Sequence, residues 1–181
     1  MSLEKPVERK MIHTRRVECV GYLREDGLWD IEGSIVDTKS YDYDTSERIV
    51  VSGTPMHNMF LRLTLDDGLL IRDAVAHTED APFSLCQQSN PLYRQLIGMR
   101  VMGDGFSRKV REMFRGTCGC THITDLIGPV ATTAYQTIAT WLYEQNGRPA
   151  DPRMLDICFS FDRDGEVVKR HFAELIATSD Q

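Results

Sequence analysis

Long apolar runs are missing from this chain. Nowhere in its 181 residues does one approach the roughly 18 that a membrane-spanning helix requires. The opening MSLEKPVERKM places charges where a signal peptide carries its apolar segment. A cytoplasmic protein is the expectation, with no membrane association. A basic excess is also lacking. Lys and Arg number 21 against 27 Asp and Glu, a net charge of −6, so no nucleic-acid partner is expected. There is no G-x-S-x-G elbow, no P-loop and no dinucleotide fingerprint, which removes the commonest hydrolase and nucleotide signatures. Internal repeats and low-complexity segments are absent as well. Cysteine is scarce and odd in number, five in all. In a reducing compartment such residues read as buried thiols, metal ligands or reactive thiols, not as a disulfide framework.

What is present begins with three Asp-Gly pairs, each between strand-like runs, a strong hairpin signal. Asp26-Gly27 joins RRVECVGYLR to LWDIEGSIVDTKSY. Asp67-Gly68 joins MFLRLTL to LLIRDAVAH. Asp164-Gly165 joins MLDICFSF to EVVKRHF. The polar stretch from Asp42 to Gly53 reads as a loop. Helical signals fill the space between the last two hairpins: a short helix over 91–98 and another in SRKVREMF with Ser107 as cap. The longest spans about 121–145, where Ile123, Leu126, Ile127, Val130, Ala134, Ile138, Trp141 and Leu142 form an apolar stripe. Gly128-Pro129 predicts a kink or restart within it, and Asn146-Gly147 its end. The fold class is therefore α+β, a mainly antiparallel sheet built from hairpins and covered by helices on one face. One domain is expected over 1–181, with a flexible N-terminus over 1–11.

The candidate chemistry is concentrated in Cys/His residues. Cys118, Cys120 and His122 stand at alternate positions just before and within the first turn of the long helix, with Thr121 as its expected cap. Unpaired N–H groups there carry partial positive charge, which favours thiolates. Arg108, Arg111 and Arg115 share one helical face and form a candidate anion-binding patch. The plainer reading is a buried cysteine capping a helix beside a solvated basic face. His57 precedes one strand of the second hairpin and Cys86 follows its partner, so the two converge at one sheet edge. Cys and His in one cluster suit zinc or iron–sulfur chemistry. Taken singly, His57 reads as a surface histidine and Cys86 as a core thiol. Asp30 and Glu32 share a strand face that is more often simply solvated. His77 with Glu79 and Asp80 reads as a surface cluster, and Cys158 as structural.

The phrases GLWDIEGSIVDTKSYD, PMHNMFLRLTLDDGLLIRDA, APFSLC and GCTHITDLIGPVATTAYQTI resemble a bacterial family catalogued as a domain of unknown function, number 2889. The resemblance runs from about residue 12 to 171, and His57, Cys86, Cys120 and His122 fall on its motif positions. A second, pattern-level likeness covers about 53–145. Its order of elements resembles iron–sulfur scaffold proteins of the IscU/NifU type, with Pro55 and His57 at the first motif, Cys86 near the second ligand position and Cys120 at the third. His57 stands where those proteins have cysteine. On that likeness 53–145 is a scaffold-like core, and 12–41 and 154–172 are added hairpins.

Three functions stay open. The first is a scaffold or carrier binding zinc or an iron–sulfur cluster through His57, Cys86, Cys118, Cys120 and His122. The second is an enzyme with Cys120 as nucleophile, acting on an anionic or thioester substrate. The i, i+2 offset argues against His122 as its base and leaves His57. The third is a non-catalytic module that binds a protein partner or small ligand.

Overall fold

The computed structural model describes residues 7–103, 105–147 and 150–179. The expected N-terminal flexibility falls partly on residues 1–6, which lie outside the described residues. The first two hairpins form as the sequence predicts. Strand β1 (His13–Leu23) pairs with β2 (Trp29–Lys39) through the Asp26-Gly27 turn, where Gly27 takes a φ of 79°. Residues 42–53 carry a small two-stranded ribbon, β3 (Tyr43–Asp44) and β4 (Ile49–Val50), within what the sequence marks as a loop. Strands β5 (Pro55–Leu65) and β6 (Ile71–Asp80) complete a four-stranded antiparallel sheet ordered β1-β2-β5-β6.

Side chains on a strand alternate between faces, and β2 follows that rule strictly. Trp29, Ile31 and Ile35 are buried while Glu32 is exposed. In register beside them, β5 contributes Met59, Leu61, Leu63 and Leu65 to the same covered face. Helix α1 (Phe106–Met113) and the long helix α2 (Thr121–Asn146) follow. The α2 stripe of Ile123, Leu126, Ile127, Val130, Ala134, Ile138 and Leu142 is buried against the sheet. Each buried Ile, Leu or Val of that stripe stabilises the fold by about 1.5–3 kcal/mol. Trp141 stays partly exposed but meets Trp29 edge-on, ring centroids 6.3 Å apart. The approach of α2 is close. A Cβ on Gly33 would lie 2.4 Å from Val130 Cγ2, and one on Gly21 2.3 Å from Thr137 Oγ1. Glycine at these two positions lets the helix seat directly on β1 and β2.

Five local expectations are corrected. Helix α2 continues through Pro129 without restarting, because the apolar stripe on both sides of that residue packs on one sheet. Its N-cap is Cys120 instead of Thr121, which is its first residue. The short helix placed at 91–98 is a longer 3-10 run, Ser84–Leu96, and α1 starts at Phe106, so Ser107 lies inside it. The third hairpin over 154–172 does not form. Gly165 is the N-cap of helix α3 (Glu166–His171), followed by α4 (Ala173–Ser179). Acidic Glu166 at the start of α3 and basic Lys169, Arg170 and His171 at its end complement the helix dipole. Ile157 and Phe159 are exposed, so no strand face is buried there. This C-terminal unit has its own small core of Ala150, Leu155, Val168 and Leu175, and Met154 packs against both cores. Among the described residues no helix is long and apolar enough to cross a membrane.

Candidate metal centre

At one end of the covered face the alternation continues but its chemistry changes. The inward series Trp29, Ile31, Gly33, Ile35 ends in Asp37, whose side chain is 1% exposed. Its register partners are Arg15 on β1 and His57 on β5. Buried carboxylates need donors, and Asp37 has them on both oxygens. Arg15 Nε donates to Oδ1 at 2.8 Å and Arg15 Nη2 to Oδ2 at 2.9 Å. His13 Nε2 lies 3.2 Å from Oδ1 and His57 Nδ1 3.0 Å from Oδ2. The first turn of α2 adds His122, with Nε2 3.6 Å from Oδ2, and Asp125, which accepts from Arg15 Nη1 at 3.1 Å. The His57 and His122 rings stack with centroids 3.7 Å apart.

Charge follows from this packing. Burial alone would raise the Asp37 carboxyl. The Arg15 hydrogen bonds and charge outweigh it, with help from His57 and His122, and hold the group below its ordinary value. Burial, the neighbouring His122 and Arg15 depress His57 to about 4, against the partial opposition of Asp37. His122 is lowered too, by burial and then by Arg15. Both imidazoles are therefore neutral at pH 7. A carboxylate only accepts, so neutral His57 carries its proton on Nδ1, leaving Nε2 with a lone pair. Among the described residues Nε2 has no hydrogen-bond partner.

Cys120 borders this cluster. Its Sγ lies 3.9 Å from His122 Nδ1 and 3.7 Å from Met59 Sδ. Its backbone is gripped by one hydroxyl: Cys120 N–H donates to Tyr93 Oη at 2.9 Å, and Tyr93 Oη lies 2.8 Å from the Cys120 carbonyl. Tyr93 in turn stacks on Phe114.

The structure thus brings together His57, His122 and Cys120 from the sequence-derived candidates. Cys86 sits in the Ser84–Leu96 run and Cys118 is exposed at a 3-10 turn. Among the described residues, Asp37, His57 and His122 are the group of Cys, His, Asp or Glu side chains whose ligand atoms converge, all within 4.8 Å, and they can hold a metal ion. Arg108, Arg111 and Arg115 are exposed around α1, and the cation at the cluster is Arg15. Sequence reasoning missed Asp37, Arg15 and His13, although the period-two pattern of β2 pointed Asp37 inward. The close approach of His122 Nδ1 to Cys120 also revises the expectation that their offset keeps them apart.

A family described as "Protein of unknown function (DUF2889)" matches residues 13–136. The chain belongs to this family. The matched segment contains every residue of the cluster, from His13 to Asp125, and ends within α2, before the C-terminal unit. No curated protein and no solved structure matches the chain. Nothing in these comparisons supports the resemblance to IscU/NifU-type scaffolds.

Proposed function

We propose that the protein binds a single divalent transition-metal ion at Asp37, His57 and His122. The observation that carries this reading is the convergence of two neutral imidazoles and an ionised carboxylate from β2, β5 and α2. Metal ligation requires those protonation states. Tetrahedral zinc, with bonds near 2.0–2.1 Å, needs donor separations of roughly 3.3 Å. The distances from Asp37 Oδ2 to His57 Nδ1 and His122 Nε2, 3.0 and 3.6 Å, bracket that value, and His57 would ligate through Nδ1 in the tautomer that carries its proton on Nε2. Arg15 then serves as the outer partner that orients the carboxylate. Three protein ligands leave a position for water or substrate, the pattern of catalytic zinc and of mononuclear iron sites. An iron–sulfur cluster is less well supported, because such clusters need several thiolates and one thiol borders the site.

The test is titration of metal-free protein with Zn(II), and anaerobically with Fe(II), followed by calorimetry and elemental analysis. One ion per chain is expected, lost in His57→Ala and His122→Ala and kept in Cys86→Ser. Failure to bind either ion, or binding that survives both histidine variants, would overturn the proposal.

A second reading has its own observation. Cys120 Sγ, His122 and Asp37 stand in the order nucleophile, base, orienting acid, at 3.9 and 3.6 Å. It requires that Cys120 in metal-free protein alkylate faster than the exposed Cys118 and that His122→Ala abolish the difference.

A further inference from the structure

His122 has two ring nitrogens, and they face chemically different surroundings. Nε2 looks toward the oxygens of Asp37. Nδ1 looks toward sulfur, with Cys120 Sγ 3.9 Å away and Met59 Sδ a further 3.7 Å from that thiol. Met59 is fully buried on β5, two residues from His57 and on the same sheet face. A thiol, a thioether and an imidazole nitrogen are a soft donor set. We propose that Cys120, Met59 and His122 Nδ1 form a site for a soft monovalent ion, copper(I).

Geometry supports the assignment. Three bonds of about 2.0–2.3 Å spread at 120° place donors about 3.5–4.0 Å apart. The Cys120–Met59 and Cys120–His122 separations both fall in that interval. Nothing but proton loss from the thiol is required. Cys120 releases its proton to solvent as the copper–sulfur bond forms, and the copper stays monovalent throughout. Asp37 completes the arrangement from the other side. With the neutral His122 proton on Nε2, facing the carboxylate, the Nδ1 lone pair is free for the metal. A carboxylate behind a metal-bound imidazole fixes its tautomer in this way. Met59 also explains why a thioether occupies a core position otherwise filled on β5 by leucine: Leu61, Leu63 and Leu65 continue the same row.

This inference goes beyond the divalent site but shares His122 with it. A neutral imidazole offers one lone pair. The divalent ion uses it at Nε2 and copper(I) at Nδ1, so a single chain holds one ion or the other. The tautomer of one histidine selects between the divalent ion and the soft monovalent one.

The test is an anaerobic titration of metal-free protein with copper(I) buffered by a chromogenic chelator, with silver(I) as a redox-inert check. One copper(I) per chain is expected. Affinity should fall at least a hundredfold in Cys120→Ser and about tenfold in Met59→Leu, a volume-conserving change that keeps the core filled. Zinc affinity should be unchanged in Met59→Leu, and copper(I) should displace zinc one for one. His57→Ala should abolish zinc binding and spare copper(I), so failure of either site is seen separately. Copper(I) binding that ignores both Cys120→Ser and Met59→Leu, or no stoichiometric binding at all, would overturn the assignment.

Discussion

The two ends of one sheet face make an instructive contrast. At the end marked by Trp29, Leu65 and Ile71, the strands bury apolar side chains under α2 and the Ser84–Leu96 run. At the other end the same inward positions hold Arg15, Asp37 and His57. The strands, their alternation and the covering helix α2 are shared, and the side chains differ. The apolar end gains free energy from burial. The polar end must compensate desolvated charge with hydrogen bonds, and replacing such groups by packed apolar ones is often neutral or stabilising. Stability alone therefore gives no reason for the polar end, whereas the proposed metal ligation would.

The contrast can be broken at its apolar end first. Leu63→Ala should cost about 2–5 kcal/mol through lost burial and a cavity, uniformly in pH, while zinc and copper(I) affinities stay at wild-type values. Urea unfolding with a parallel metal titration checks both halves.

The polar end should respond to acid instead. In metal-free protein the folded His57 value of about 4 lies below its ordinary 6.5. Between those values the unfolded chain binds more protons, so stability is complete above about pH 6.5 and declines as pH falls toward 4. The ceiling is about 3 kcal/mol at 1.36 kcal/mol per unit. Asp37, held below its ordinary value, extends the loss further into acid. Urea midpoints from pH 7 to 4 should fall steeply in wild type and less so in His57→Asn. Equal slopes would mean that His57 is not held neutral.

The smallest effect belongs to the uncovered face. Arg62 lies 4.0 Å from Glu32, both about half exposed. Arg62→Ala should shift stability by about 0.5 kcal/mol or less, with metal binding untouched.

This comparison also shows what was legible in the sequence. Asp-Gly turns and period-two alternation specify the first two hairpins, and the apolar stripe specifies α2. His57 and Cys120–His122 were legible because a hairpin end and a helix start are marked locally. Asp37 was not singled out, though Trp29, Ile31, Gly33 and Ile35 set its phase. A carboxylate in a strand is usually on the solvated face, as Glu32 is. Arg15 and His13 needed the β1–β2 register, which is a tertiary fact. Cys86 follows the partner strand of the second hairpin, which suggests a shared sheet edge with His57, but it lies in the 3-10 run Ser84–Leu96 and outside the converging group. The third Asp-Gly pair misled because a turn signal and a helix N-cap share residue types.

One hydroxyl has a reach that its size conceals. Tyr93 clasps both backbone groups of Cys120 and also contacts Thr124 Oγ1 at 2.9 Å. Asp37 and His57 are rooted in the sheet, whereas Cys120 and His122 are rooted at the head of a helix that this hydroxyl pins to a different segment. The Cys120 and His122 half of the cluster is thus moored by one tyrosine to the Ser84–Leu96 run, a segment other than the strands that carry Asp37 and His57.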